Sequence, residues 1–267
     1  MTTATQAFRG LALLYLVTNA TYGSGLGRKR LQRVMTRPER EAVTAVLERL
    51  PATVRTWSDG LATIDPLDVV EIRRPLASLS STGGGRWWAG PRDCREELLE
   101  LAADHGYDSV IVLWPSAAHV PLCGWGCTIG PSEATFGTGF TSIASDHWPT
   151  LATDPDPEQG YVHEWLHQVE AVYRQLGVGE DELPSLHDAG DFTSSRPPTE
   201  PPFGESYAAY HDGIPGRGGA RTWAPWYRDW MTGRLRRLTD PPGGGRAPVP
   251  LGLTPGRWAR RHEARAT

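Results

Sequence analysis

Within residues 160–169, GYVHEWLHQV, two histidines stand four apart and a glutamate directly follows the first: His163, Glu164 and His167. On a helix, residues four apart lie one turn above each other, so both imidazoles can reach a single ion. Neutral imidazole suits Zn2+, and a catalytic zinc takes three protein ligands and keeps one position open for water. Such an ion brings the pKa of its water to about 7, and a neighbouring carboxylate can take the proton during attack on a carbonyl. Glu164 is the candidate for that part. With eight His in the chain, a chance His-Glu-x-x-His has a probability on the order of one per cent.

The element that must carry these residues is a helix over about 158–176. Trp165, Leu166 and Val169 are apolar, neither Pro nor Gly interrupts after Gly160, and Gly177 provides the stop. Ahead of it, GLALLYLV (10–17) reads as a buried first strand or as a short leader-type apolar run, too short to span a bilayer. Residues 37–50 have helical spacing up to Pro51, and 61–72 read as a strand broken at Pro66. STGGGRWWAGP predicts a Gly-rich rim loop without the lysine or spacing of a phosphate loop. A helix over 93–105 and a buried strand over 108–114 follow, the signature of an α/β layer arrangement. The Gly- and Thr-rich stretch 120–150 predicts an irregular edge strand and a loop. The last ordered helix is expected at 222–239, before DPPGGGRAP.

These observations predict a mixed α/β fold: one catalytic domain over 1–240 and a flexible Pro/Gly/Arg-rich tail over 241–267. The 267 residues suffice for a proper core. The net charge of −4 is uneven: from Arg217 onward eleven Arg face three carboxylates, leaving about −12 for the rest. The basic end reads as a solvated tail, and no nucleic acid is expected as a partner. Cys94, Cys123 and Cys127 make no disulfide framework. A reduced, cytoplasmic setting fits that count, with secretion as the alternative if residues 1–20 act as a signal peptide.

GYVHEWLHQV resembles the active-site helix of zincin metallopeptidases, strictly over about ten residues. The resemblance implies a zincin-like fold, with a mixed sheet and an edge strand above the helix. It implies zinc bound by His163 and His167, with Glu164 as general base. A metzincin would continue with Gly at 170 and His or Asp at 173; Glu170 and Tyr173 stand there instead, which excludes that subgroup. A thermolysin-like enzyme would supply a Glu some twenty residues on. That region offers Glu180, Asp181, Glu182, His187 and Asp188. His187 is taken as third ligand, because PSLHDAG is more apolar than the acidic turn GEDE; Glu180 and Glu182 are the alternatives. Asp188 or Asp191 could orient that imidazole, and Glu170, three residues past His167, could support the site.

Zincin-like sites often add a Tyr or His that stabilises the developing oxyanion. YAAYHDG supplies Tyr207, Tyr210 and His211, of which Tyr210 and His211 are the candidates. GWGCTIG and GTGFTSIAS fall where zincins place a strand that pairs with substrate, with Trp125, Trp148 and Trp165 as candidate cleft aromatics. The expected function is hydrolysis of a peptide or small amide substrate by metal-activated water. Two other classes stay open: an iron-dependent oxygenase on the same helix, and a non-enzymatic domain with a structural metal. Glu164 and His167 form a Glu-x-x-His pair, but a di-iron bundle needs a second one and the sequence has none.

Overall fold

The computed structural model describes residues 5–23, 27–83, 85–102, 105–117, 120, 125–128, 138–145, 157–186, 192–194, 224–237 and 251–258. The chain divides into two compact units, where the sequence led us to expect one domain and a tail. One comprises residues 7–51 and 64–172, the other 1–6, 52–63 and 173–267. The fold is mixed α/β, with a mainly parallel sheet, a second mixed sheet and helices.

The first unit is built on strands β1 (Gln6–Tyr15), β4 (Ala62–Ile72), β8 (Ser109–Trp114), β9 (Trp125–Thr128) and β10 (Gly139–Ala144). Their order is β4-β1-β8-β10-β9. β8 runs parallel to both β1 and β10, whereas β9 pairs antiparallel with β10 at the edge. Every residue of β8 and β10 is buried, as expected of parallel strands covered on both faces. The irregular segment expected at 120–150 thus contains an edge strand, as read, but also a central one. Thr141 and Ser142 hid it, because polar residues in a strand suggest solvent. β4 runs through Pro66 without a break, which its position at the other edge of the sheet permits.

Side chains alternate across this sheet. One set, including Leu11, Leu13, Val110, Val112, Trp114 and Phe140, packs with Cys94 and Leu98 and with a small sheet. That sheet orders β3 (Lys29–Val34), β2 (Val17–Tyr22) and β5 (Leu76–Ser78). The Gly-rich loop is in fact a hairpin, β6 (Ser80–Gly83) and β7 (Arg86–Trp88). Its Trp88 meets Phe140 edge-on at 5.9 Å. The helix expected at 93–105 is shorter: α2 (Arg95–Glu97) passes into a π turn at Leu98–Ala102.

The opposite face receives helices α1 (Arg37–Trp57) and α3 (Gln159–Gln175). Met35, Val43, Leu113, Ile143 and Tyr161 line one small cavity there. Thr36 and Glu39 form a reciprocal cap at the start of α1: Thr36 N–H donates to Glu39 Oε2 at 2.7 Å, and Glu39 N–H to Thr36 Oγ1 at 3.4 Å. The helix does not stop at Pro51. Val54 and Trp57 beyond it are buried, and burying two such side chains offsets the roughly 3 kcal/mol cost of an internal proline.

The second unit contains five of the chain's eleven tryptophans. Trp226 and Trp230 on α4 (Ala224–Thr232) and Trp258 are fully buried. Their indole N–H groups donate to the carbonyls of Leu186 at 3.0 Å, Pro184 at 2.8 Å and Met231 at 2.8 Å. Trp57 stacks on Tyr227 at 6.3 Å. The expected helix at 222–239 ends at Thr232, and β12 (Leu235–Arg237) pairs with β11 (Phe192–Ser194). Residues 251–258 lie within the stretch expected as a tail. Leu251 bridges to Leu235, and Leu253 and Trp258 are buried. Three apolar side chains in eight residues give this piece something to bury, which the glycines before it conceal. No helix among the described residues is long and apolar enough to cross a membrane.

Truncating a buried tryptophan costs about 3–5 kcal/mol. Trp258→Ala is therefore expected to lower the urea midpoint strongly, whereas substituting a residue of a loose tail would leave it unchanged.

Candidate metal centre

Helix α3 is buried almost all round from Gln159 to Leu166, which is why its sequence is more apolar than that of a surface helix. Its start is held by Glu158, which accepts from Arg49 Nε at 2.5 Å. At its end Gly177 takes φ 81°, a left-handed conformation that costs a side chain heavily, and its N–H donates to the Arg174 carbonyl at 3.0 Å. The helix expected at 158–176 is present to within a residue at each end.

His163 is 2% exposed and Glu164 1%; the His167 side chain retains 17%. The two rings meet at 84° with centroids 4.5 Å apart, and their Nε2 atoms are 3.1 Å apart. That is hydrogen-bond distance between the two rings, and it is close to the roughly 3.3 Å that separates two imidazole nitrogens each about 2.0–2.1 Å from one tetrahedral zinc. Glu170 Oε2 lies 3.6 Å from His167 Nδ1, too long for a hydrogen bond but placed to turn Nε2 toward the site.

Glu164 Oε2 is buried without a hydrogen-bond partner. Burial pushes its pKa from the ordinary 4.5 up to about 7, against a smaller lowering by His167. An unpartnered carboxylate oxygen in the interior is costly. Glu164 and the two imidazoles are the residue types a zinc site uses, and the described residues supply two of the three ligands a catalytic zinc takes.

The structure therefore brings together four of the residues singled out in the sequence: His163, Glu164, His167 and Glu170. Among the described residues no third His, Cys, Asp or Glu joins the two histidines. His187, Asp188, Asp191, Trp148, Tyr207, Tyr210 and His211 lie outside the described residues, as does the side chain of Trp125. Glu180 and Glu182 are exposed, and Glu182 Oε2 is engaged by Arg257 at 3.0 Å. Trp165 does not line a cleft: it is fully buried and meets Phe8 edge-on at 5.2 Å. Tyr173, at the position of a metzincin's third ligand, donates to the Trp258 carbonyl at 3.3 Å.

Sequence reasoning missed the polar residues beneath the helix. Gln168 Nε2 donates to Thr141 Oγ1 at 2.5 Å, and Ser109 Oγ donates to Gln168 Oε1 at 2.6 Å. The available signal was a glutamine inside an otherwise apolar helix face, together with hydroxyls inside two apolar strands. Comparison with known proteins returns no matching family model, no matching curated protein and no matching solved structure.

The raised pKa of Glu164 has a testable sign. A folded state that holds the proton more tightly than the unfolded chain has its advantage at low pH and loses it as pH rises from about 4.5 through about 7. The metal-free protein should lose on the order of 3 kcal/mol across that window through this group. In denaturant titrations at pH 5 and pH 8, Glu164→Gln is expected to escape that loss. Parallel pH dependence in the two proteins would contradict it.

Proposed function

We propose that the chain is a zinc-dependent hydrolase of zincin-like type that cleaves a peptide or other amide bond. The observation that carries this is one helix that bears both a buried, unpartnered Glu164 carboxylate oxygen and two imidazole Nε2 atoms 3.1 Å apart. His163 and His167 would hold the ion through Nε2, with Glu170 behind His167. The reading keeps His187 as third ligand and Tyr210 or His211 as oxyanion donor.

Zinc supplies Lewis acidity: it polarises a carbonyl and makes water acidic enough to release a proton near neutral pH. Glu164 does the proton work. It would accept a proton on Oε2 and later return it to the departing amine. Burial keeps its carboxylate away from competing solvent, so the proton is handed on rather than lost. Strand β9 at the sheet edge supports the zincin-like reading, since an edge strand offers backbone groups to an extended peptide.

Protein purified without added metal is expected to carry zinc, near one per chain. Glu164→Gln should keep the zinc and lose activity on a quenched peptide mixture by about 100-fold or more. His163→Ala should lose both. Iron with oxygen-dependent turnover would favour the oxygenase instead, and full activity in Glu164→Gln would remove the general base from the mechanism.

A further inference from the structure

We infer that Gln168 is a positioning residue of the metal centre: its side-chain amide fixes the rotation of α3 that brings the two Nε2 atoms together. The inference rests on the zinc reading above and adds a residue that the His-Glu-x-x-His pattern does not contain.

Gln168 is 2% exposed and follows His167 directly. At 100° per residue it lies about 100° round the helix from the histidine face, on the same side as Glu164, four residues earlier. Its amide spans the two central strands. Ser109 of β8 donates to Oε1 at 2.6 Å, and Nε2 donates to Thr141 of β10 at 2.5 Å. Thr141 then spends its own proton on the Glu164 carbonyl at 3.2 Å. The directions are consistent: each hydroxyl donates once, and Thr141 also accepts once. The backbone of the proposed base is thereby tied to the strand that holds the amide.

Gly139 makes room for this arrangement. A Cβ at that position would lie 1.9 Å from Gln168 Oε1 and 2.7 Å from its Cδ. The amide therefore occupies the place of a side chain on the strand, next to Ser109, the register partner of Gly139. A leucine at 168 would bury comparable surface but could slide and turn on the sheet. Directional bonds to two strands allow one rotation only, and satisfied buried polar groups are known to select one packing over its neighbours. A helix turned by a fraction of a residue would carry both rings off their shared point.

The test uses the full chain, with zinc affinity measured by competition against a chromophoric chelator and the visible bands of the Co2+-loaded protein as a second readout. Gln168→Met keeps the length and removes the amide; Thr141→Val removes the hydroxyl that links it to Glu164. Both are expected to weaken zinc binding about 10–100-fold, the usual effect of losing a supporting contact, and to shift the cobalt bands. Ser58→Ala is the control. That buried hydroxyl accepts from the Ala62 N–H at 2.9 Å in the other unit, so its loss should lower the melting temperature and leave zinc affinity within about twofold. If Gln168→Met does not fold, Ser109→Ala, which removes one bond only, is expected to show a several-fold loss. Folded variants that hold zinc as the wild type does, with unchanged cobalt bands, would overturn the role of Gln168 alone. A wild type that takes up no zinc at all would overturn the zinc reading and this inference with it.

Discussion

A helix buried nearly all round leaves little room for a polar side chain without a partner. In α3 this constraint sets the environment of every polar residue on the inner faces. Gln168 meets it with hydroxyls contributed by the two central strands. Glu164 does not meet it, and one of its oxygens remains unpaired in the interior. The same layer of protein thus contains one polar group whose bonds are complete and one whose bonds are not. The two are joined through the Thr141 hydroxyl and the Glu164 carbonyl.

The sheet beneath the helix explains why such a network fits. Parallel strands buried on both faces are ordinarily apolar throughout, and β8 keeps to this except at its first residue. Ser109 is that residue, and its register partner on β10 is Gly139. The polar contacts gather at the end of the strands where both begin. Farther along, Val110, Val112 and Trp114 return to the apolar pattern and pack on the other face with Leu11, Leu13 and Phe140.

Much of this was legible in the sequence, and the misses have physical causes. Periodicity and a Gly stop placed α3 well, because a long helix with a capped end is the clearest local signal. The spacing of His163 and His167 also translated directly into ring proximity. Pro51 misled, since a local rule about helix ends yielded to the burial of Val54 and Trp57, which only tertiary packing reveals. Thr141 and Ser142 disguised a central strand, because their partners, Gln168 and Trp114, lie 27 and 28 residues away. Trp165 was read as a cleft aromatic, yet its neighbour is Phe8 from the start of the chain. Local pattern carries the element; contacts between distant segments decide which face of it is wet.

The makeup of the second unit has a consequence for how the protein is made. It combines residues 52–63 with residues from 173 onward, so its early part emerges from the ribosome long before its complement exists. At about 5–20 residues per second, Trp57 waits roughly 10–30 seconds before Tyr227 can stack on it. The first unit, complete by residue 172, can collapse co-translationally in the meantime. During that interval the apolar end of α1 is a natural client for a chaperone, and slowing translation beyond residue 172 would lengthen its exposure to aggregation.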